Sequence, residues 1–117
     1  MKAIIEVAKR GSAVHSARAQ IAAARKGRSP DYRLSFESAR SLFAELTPAR
    51  VELLDTLRKV GPCSVSALAK AAERNYSNVH TDVGRLEELG LIERTDQDSV
   101  FVPFESVEIL LPLAQVV

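Results

Sequence analysis

The stretch that decides the fold is residues 64–104, which read SVSALAKAAERNYSNVHTDVGRLEELGLIERTDQDSVFVPF. Apolar residues recur at the three- and four-residue spacing of an amphipathic helix, first across Val65–Ala72 and then across Val79–Leu89. Ser64 precedes the first run as an N-cap, and Gly90 follows the second at a position that can end a helix. The pattern predicts helices over about residues 65–73 and 76–89.

The turn between these two predicted helices is only two or three residues long. Helices joined by so short a turn cross steeply, which is the geometry of a helix-turn-helix. After Gly90, apolar residues alternate across residues 91–94 and 99–104, on either side of the polar tip Thr95–Asp98. Alternation around turn-forming residues predicts a β-hairpin.

Two further helices are predicted upstream, over residues 38–46 and 48–59. The second begins with Thr47 as the N-cap and Pro48 at the first helical position, where the missing N–H of proline costs nothing. Gly61 then ends it. The predicted inward positions of the two helices are Ala39, Leu42, Phe43, Leu46, Val51, Leu54, Leu57 and Val60.

The two ends of the chain add less regular elements. Residues 3–7 and 32–36 predict short strands, and the alanine-rich residues 13–26 predict a helix. The apolar tail, residues 106–117, predicts a strand that the amino-terminal strand or another subunit must cover, because an exposed apolar edge is sticky. The expected fold is α+β and mostly helical: a winged helix-turn-helix with an amino-terminal strand-helix extension and a C-terminal strand.

Composition and the absence of certain motifs exclude several classes of protein. One cysteine and two histidines in 117 residues exclude an internal disulfide and make a structural metal improbable. The sequence has no glycine-rich phosphate loop and no nucleophile-base arrangement, so neither an enzyme nor a cofactor-binding protein is expected. No apolar run approaches the roughly 18 residues of a spanning helix, and the start does not resemble a secretory signal. We therefore expect a cytoplasmic protein with no membrane partner.

The net charge of +1 conceals an uneven distribution. Residues 1–30 carry seven Lys/Arg and one Glu, whereas residues 91–117 carry one Arg and five acidic residues. Such a division suits an anionic partner at one end or head-to-tail pairing of subunits, and the alternative is two ordinary solvated surfaces.

The second helix of a helix-turn-helix lies in the major groove of DNA, and its first residues contact base edges. With Val79, Val83 and Leu86 inward, the opposite face of helix 76–89 presents groups suited to base edges and phosphates. For His80, base contact or a surface role is favoured over catalysis, since no catalytic partner is placed beside it. The alternative is a solvated helix face. The candidate DNA-binding residues are Tyr76, Ser77, Asn78, His80, Thr81, Arg85, Arg74 and Arg94.

Three other residues in the region invite a specific interpretation. Asp82 is expected to form an ion pair with Arg85 or with Arg50. Cys63, next to a helix start, has either a thiol of lowered pKa or a half-buried structural role. Gly84 lies inside a predicted helix, where glycine is costly, so a close approach by DNA or by a neighbouring helix, or else sequence drift, accounts for it.

Several motifs in residues 34–105 occur together in one family. They are Ser35-Phe36-Glu37-Ser38, Leu46-Thr47-Pro48 with Arg50, Leu68-Ala69, Tyr76-x-Asn78-Val79-His80-x-Asp82-Val83 and Leu86-Glu87-Glu88-Leu89-Gly90-Leu91-Ile92. On these motifs the chain resembles the MarR-like winged helix-turn-helix predicted transcriptional regulators of bacteria and haloarchaea, some of which are antitoxin-like. The resemblance implies a dimeric DNA-binding regulator. Relatives often carry Lys or Arg at the positions of Ser77, Thr81 and Gly84.

The favoured function is therefore a sequence-specific transcriptional regulator that binds double-stranded DNA as a homodimer. Residues 34–105 form its DNA-binding domain, residues 1–33 an extension that contacts the second subunit or a partner, and residues 106–117 a C-terminal tail. The alternative is an antitoxin-type protein that neutralises a toxin partner and represses its own operon. Homodimer formation is expected because a small monomer would leave the apolar tail exposed.

Overall fold

The computed structural model describes residues 1–7 and 31–114, and the chain divides into two compact units, residues 1–45 with 106–117 and residues 46–105. Its class is α+β, as expected. Residues 34–45, predicted to belong with the helices, cluster with a sheet. The elements of the described ranges are β1 (Ala3–Val7), β2 (Tyr32–Phe36), α1 (Ala39–Glu45), α2 (Pro48–Val60), α3 (Val65–Ala71), α4 (Tyr76–Glu88), β3 (Glu93–Arg94), β4 (Val100–Phe101) and β5 (Val107–Leu110).

The first unit contains a parallel three-stranded sheet in the order β2-β1-β5. All three strands lie within segments predicted to be strands. The central strand is the most buried, with Ala3 and Ile5 fully inaccessible. The amino-terminal strand therefore covers one side of the apolar tail, one of the two expected covers. The predicted helix 13–26 and the last residues of the tail, 115–117, lie outside the described residues.

The opposite face of this sheet carries ion pairs beside the apolar residues Ile4 and Leu110. The Lys2 ammonium lies 3.1 Å from a Glu108 carboxylate oxygen, which ties β1 to β5. On the other side, the Arg33 guanidinium lies 3.7 Å from the Glu6 carboxylate. The sheet thus has one face that contains the buried Ala3 and Ile5, and one mixed face on which the ion pairs lie beside Ile4 and Leu110.

Helix α1 follows the sheet and is shorter than predicted. Leu42 is its buried residue, whereas Ala39 and Phe43 are exposed, so the prediction that they face inward is wrong. Phe43 lies about 100° around the helix from Leu42, and a seven-residue helix that packs through one leucine cannot bury both. As a result Phe43 is 51% exposed.

Helix α2 begins as its sequence predicts. The Thr47 hydroxyl accepts a hydrogen bond from the Arg50 N–H at 3.3 Å, and Gly61 ends the helix with φ +85°. Val51 and Val60 are exposed, however, which corrects their assignment to the core. Each three-residue step turns a helix through about 300°, so a series repeated every third residue drifts off the buried face at both ends. The buried side of α2 is formed by Leu53, Leu54 and Leu57.

Helices α3 and α4 are each capped by the side chain that precedes them. The Ser64 hydroxyl accepts from the Ala67 N–H at 3.0 Å, and the Asn75 side-chain oxygen accepts from the Asn78 N–H at 3.3 Å. Residues 72–75 make the short turn between them, which includes Glu73 at φ +54°. The core positions predicted for α4 are confirmed, because Val79, Val83 and Leu86 are fully buried and Leu89 nearly so.

The predicted hairpin follows α4 as β3 and β4, which pair antiparallel. Cys63 extends this small sheet, because its N–H and C=O exchange hydrogen bonds with Val100 at 3.1 and 2.8 Å. Burial raises the pKa of the Cys63 thiol. The expectation of a lowered pKa is therefore wrong, since burial disfavours the thiolate. The alternative of a half-buried structural cysteine describes this residue.

An ion cluster fixes α4 against α2 and against the end of the turn after α3. The Asp82 carboxylate accepts from Arg50 Nε at 3.0 Å and from Arg74 Nη2 at 2.7 Å, and its side chain is only 14% exposed. Of the two expected partners, Arg50 is confirmed, whereas Arg85 pairs with Glu88 instead. Burial acts to raise the pKa of Asp82, but the hydrogen bonds and charges of both arginines outweigh it, so the pKa is lowered.

Replacing Asp82→Asn should lower the free energy of unfolding by about 1.5–3 kcal/mol at neutral pH, the range for hydrogen bonds to charged groups. Because the native pKa of Asp82 is depressed, its contribution is complete above the ordinary value near 4 and is lost as the pH falls through the native value. Urea unfolding at pH 7, 5 and 3 should show the wild-type advantage shrinking at pH 3.

Asp55→Asn is the matched control, because Asp55 forms an exposed pair with Lys59 on α2. Exposed pairs contribute about 0–1 kcal/mol, so this variant should remain close to the wild type. Equal losses in the two variants would contradict a stabilising role of the Asp82 cluster.

Candidate nucleic-acid interface

The first two turns of α4 present five of the eight predicted DNA-binding residues together. Their side chains are exposed and lie on the helix surface away from its buried residues. The five are Tyr76, Ser77, Asn78, His80 and Thr81. The structure therefore brings these polar and aromatic groups onto one continuous surface, as a helix does with residues three and four apart.

The side chains on this surface differ in whether they are engaged by other groups of α4. The Tyr76 and His80 rings lie 5.8 Å apart with a tilt of 36°. The Thr81 hydroxyl donates to the Ser77 carbonyl at 3.1 Å and is thus turned back along the helix. The backbone N–H of Asn78 donates to the Asn75 side chain that caps α4. Within the described ranges, the side-chain amide of Asn78 makes no hydrogen bond. Asn78 can therefore offer a donor and an acceptor side by side, as bidentate contact with adenine requires.

The three predicted arginines are all engaged by carboxylates. Arg74 bonds to Asp82, and Arg85 Nη1 lies 2.7 Å from a Glu88 oxygen. Arg94 lies 2.5 Å from Glu87 and 2.6 Å from Asp98. The hydrogen bonds from Glu87 and then Asp98 raise the pKa of Arg94 further above its already high ordinary value. Arg85 and Arg94 therefore have carboxylates of their own, whereas Arg74 shares Asp82 with Arg50, and that cluster keeps one net positive charge.

The second compact unit, residues 46–105, which we call the helical unit, has a net negative charge. Residues 46–105 contain seven Lys/Arg and ten Asp/Glu, a formal charge of −3. The Arg58 guanidinium donates to the Val102 carbonyl at 3.1 Å and ties α2 to the hairpin. Within this unit, the exposed Lys70 is the cation that makes neither an ion pair nor a hydrogen bond with the described residues. Lys70 thus provides an available positive charge beside the turn that leads into α4.

Sequence reasoning missed three contributors to this surface. Asn75 had a readable signal, since an asparagine directly before a helix start is a preferred cap. Lys70 and Glu87 had none, because neither the exposure of an ammonium nor an ion pair between residues seven apart follows from the local pattern. These two residues set how much charge the surface presents.

The hairpin tip is held by its own side chains. The Thr95 hydroxyl accepts from the N–H groups of Gln97 and Ser99, and Asp98 adopts φ +62°. Asp96 and Asp98 are exposed beside Arg94. An acidic tip of this kind repels phosphate, so the hairpin adds little positive field to the surface of α4.

No helix of residues 1–7 and 31–114 has both the length and the apolar character required to cross a membrane. The same ranges contain no group of three or more His, Cys, Asp or Glu side chains able to hold a metal ion.

The helical unit is the part of the chain that a known family shares. A family model described as HVO_A0114 matches residues 45–109, which is more than half of the chain. The chain belongs to the HVO_A0114 family. Neither a curated protein nor a solved structure matches the chain. The HVO_A0114 match spans α2, α3, α4, the hairpin and the first three residues of β5, so the family includes the whole candidate interface.

Gly84 lies in the second half of α4, next to the candidate surface. A Cβ atom built on Gly84 meets nothing within 4 Å, so packing inside the unit does not require glycine. Its cost to the helix is about 0.8–1 kcal/mol relative to alanine. A neighbouring helix of the unit therefore does not account for Gly84, which leaves the close approach of DNA or sequence drift.

Gly84→Ala should therefore raise the free energy of unfolding by about 0.8–1 kcal/mol, measured by thermal or urea unfolding. Gly61→Ala is the matched control, because Gly61 has φ +85° and the same added methyl group is strained there. That variant should be destabilised. A loss of stability in Gly84→Ala would mean that the position is constrained from within the unit.

Proposed function

We propose that residues 46–105 form a winged helix-turn-helix and that the protein is a sequence-specific DNA-binding transcriptional regulator that acts as a homodimer. Helix α4 enters the major groove, and the β3–β4 hairpin is the wing. The observation that carries the proposal is the exposed surface of Tyr76, Ser77, Asn78, His80 and Thr81 at the start of α4, directly after a four-residue turn from α3.

The geometry of α4 supports base reading at its amino-terminal half. In helix-turn-helix proteins the first residues of the second helix contact base edges. Asn78 has an unused amide, and the tilted Tyr76 and His80 rings can contact apolar or polar base edges. Ser77 and Thr81 have short side chains, and Gly84 has none, so the helix axis can lie close to the floor of the groove.

Phosphate contacts need positive charge, which the paired arginines supply only weakly. Residues 8–30 contain six Lys/Arg and no Asp or Glu. We assign most of the phosphate contacts to these cations and to Lys70. Counterion release by several cations makes affinity fall steeply with salt, whereas base contacts on α4 change specificity more than salt dependence.

Asn78→Ala should weaken binding to the cognate site by about 1–3 kcal/mol, roughly 5- to 150-fold, and leave binding to unrelated DNA unchanged. Fluorescence anisotropy with the chain's own upstream DNA, at two salt concentrations, measures both. Lys59→Ala is the control, because it removes an exposed side chain of α2. Equal affinity of Asn78→Ala and wild type for the cognate site would refute the assigned role of α4.

Glu88→Ala provides a separate test of the neutralised arginine. Removing this carboxylate takes away the ion pair between Arg85 and Glu88 and one negative charge beside the α4 surface, so affinity should rise a few-fold and the salt slope should steepen by about one. Glu52→Ala removes the same charge from an exposed position on α2 and should change affinity less. Equal gains in the two variants would indicate a general charge effect rather than a specific effect of the Arg85–Glu88 pair.

A protein-binding function is the second candidate, and the formal charge of −3 on residues 46–105 favours it. An antitoxin-type protein would cover a toxin and use residual DNA binding to repress its own operon. The same anisotropy titration separates the two candidates. If no binding occurs at low salt, while a neighbouring gene product co-purifies with the chain, the protein-binding function is favoured.

A further inference from the structure

Among the strands of residues 1–7 and 31–114, β5 is at the edge of the three-stranded sheet and carries exposed apolar side chains. Val107, Ile109 and Leu110 are 37%, 44% and 52% exposed. Edge strands in natural proteins are usually protected by charge, proline or a covering element. Glu108 is the single charge of β5, and it is turned to the mixed face by its ion pair with Lys2.

The backbone of β5 has a defined direction at this edge. The Ala3 N–H donates to the Ser106 carbonyl at 3.0 Å, and Ala3 is in register with Val107. In a parallel ladder, alternate residues direct both backbone groups to the neighbouring strand. Ser106 and Glu108 therefore face β1, whereas Val107 and Ile109 direct N–H and C=O to the outer edge. Strand β5 ends at Leu110, and extending its pattern by one residue gives Leu111 the same outward direction.

The segment available for pairing is short and has a clear centre. Ser106 is already bonded to β1, and Pro112 lacks the N–H that a ladder needs. The free stretch is therefore residues 107–111, with Ile109 at its midpoint. A two-fold axis through such a segment pairs it with itself, because a symmetric interface joins the same patch on both subunits.

We infer that the homodimer forms by antiparallel pairing of β5 with β5 of a second copy, with Ile109 opposite the second copy's Ile109. This joins two three-stranded sheets into one. The inference rests on the homodimer of the proposed function but not on DNA binding. Every outward residue then finds an outward partner, since Val107 lies opposite the second copy's Leu111.

The two neighbouring registers, centred on Glu108 and on Leu110, would give a less stable pair of strands. Centring the pair on Glu108 places two carboxylates directly opposite at a non-hydrogen-bonded position, where Cα atoms are about 4.5 Å apart and like charges destabilise. Centring it on Leu110 places Glu108 opposite Pro112 and leaves Val107 without an outward partner. Only the register centred on Ile109 avoids both.

The same register also continues the face of the sheet that contains Ala3 and Ile5. Val107 and Ile109 are in register with the buried Ala3 and Ile5 and therefore share their face. Residues directly opposite in an antiparallel pair point to one side, so the apolar side chains of both copies meet on that face. This self-complementarity is why a second copy fits the edge better than an unrelated strand.

Disulfide trapping of the full-length chain tests the register. In a Cys63→Ser background, Glu108→Cys protein mixed with mass-tagged Leu110→Cys protein should form a mixed disulfide with oxidised glutathione. The two positions are opposite, with Cα atoms about 4.5 Å apart. Each variant alone should give little disulfide. In the proposed register, position 108 of one copy lies two residues away from position 108 of the other copy, and the same holds for position 110. Strong self-linking of Glu108→Cys, or no mixed product, would overturn the inference.

The oligomeric state provides an independent readout without DNA. Light scattering should give twice the chain mass of 12.8 kDa for the wild type, and Ile109→Lys should shift it to the monomer. Leu113→Lys, at a residue 87% exposed beyond β5, is the matched control and should remain a dimer. A monomeric wild type, or a dimer unaffected by Ile109→Lys, would overturn the inference. Cognate DNA binding by a monomeric wild type would overturn it while sparing the base-reading surface of α4.

Discussion

The Asp82 carboxylate is the interaction on which the helical unit depends most. It bonds to Arg50 of α2 and to Arg74 at the end of the turn after α3, so one side chain of α4 links three successive segments. Removing either arginine would leave a largely buried negative charge with half of its compensation, which is costly in a medium of low dielectric. The leucine and valine core supplies cohesion without direction, whereas these hydrogen bonds fix the orientation of α4, and with it the surface of Tyr76, Asn78 and His80.

Sequence patterns predicted the helices and strands of the described residues well because their signals are local. Thr47, Ser64 and Asn75 begin helices through bonds to residues three positions later, and Gly61 and Gly90 end helices with positive φ. The predictions of buried residues failed where burial depends on tertiary packing. Val51 and Phe43 were assigned to the core by spacing alone, but which side of a helix is buried depends on neighbours distant in sequence.

The candidate site shows the same division. Exposure of the α4 surface was predictable, since it follows from the buried positions of that helix. The charge state of its arginines was not, because Arg94 meets Glu87 across the end of α4 and Arg74 meets Asp82 across the turn. Counting Lys and Arg in a helix-turn-helix sequence therefore overestimates the positive field when carboxylates lie within reach.

The hydrogen-bonding surface and the excess positive charge therefore belong to different segments of this chain. Residues 46–105 provide a shaped surface with hydrogen-bonding groups but a negative formal charge, whereas residues 8–30 carry six cations and no acid. A regulator built in this way would read bases with one segment and gain non-specific affinity from another, since phosphate neutralisation provides most sequence-independent binding. Because each copy brings one such cationic segment, pairing two copies through β5 would double the charge available to a single DNA site. In the proposed regulator, the homodimer is thus what allows a base-reading unit of charge −3 to remain on DNA.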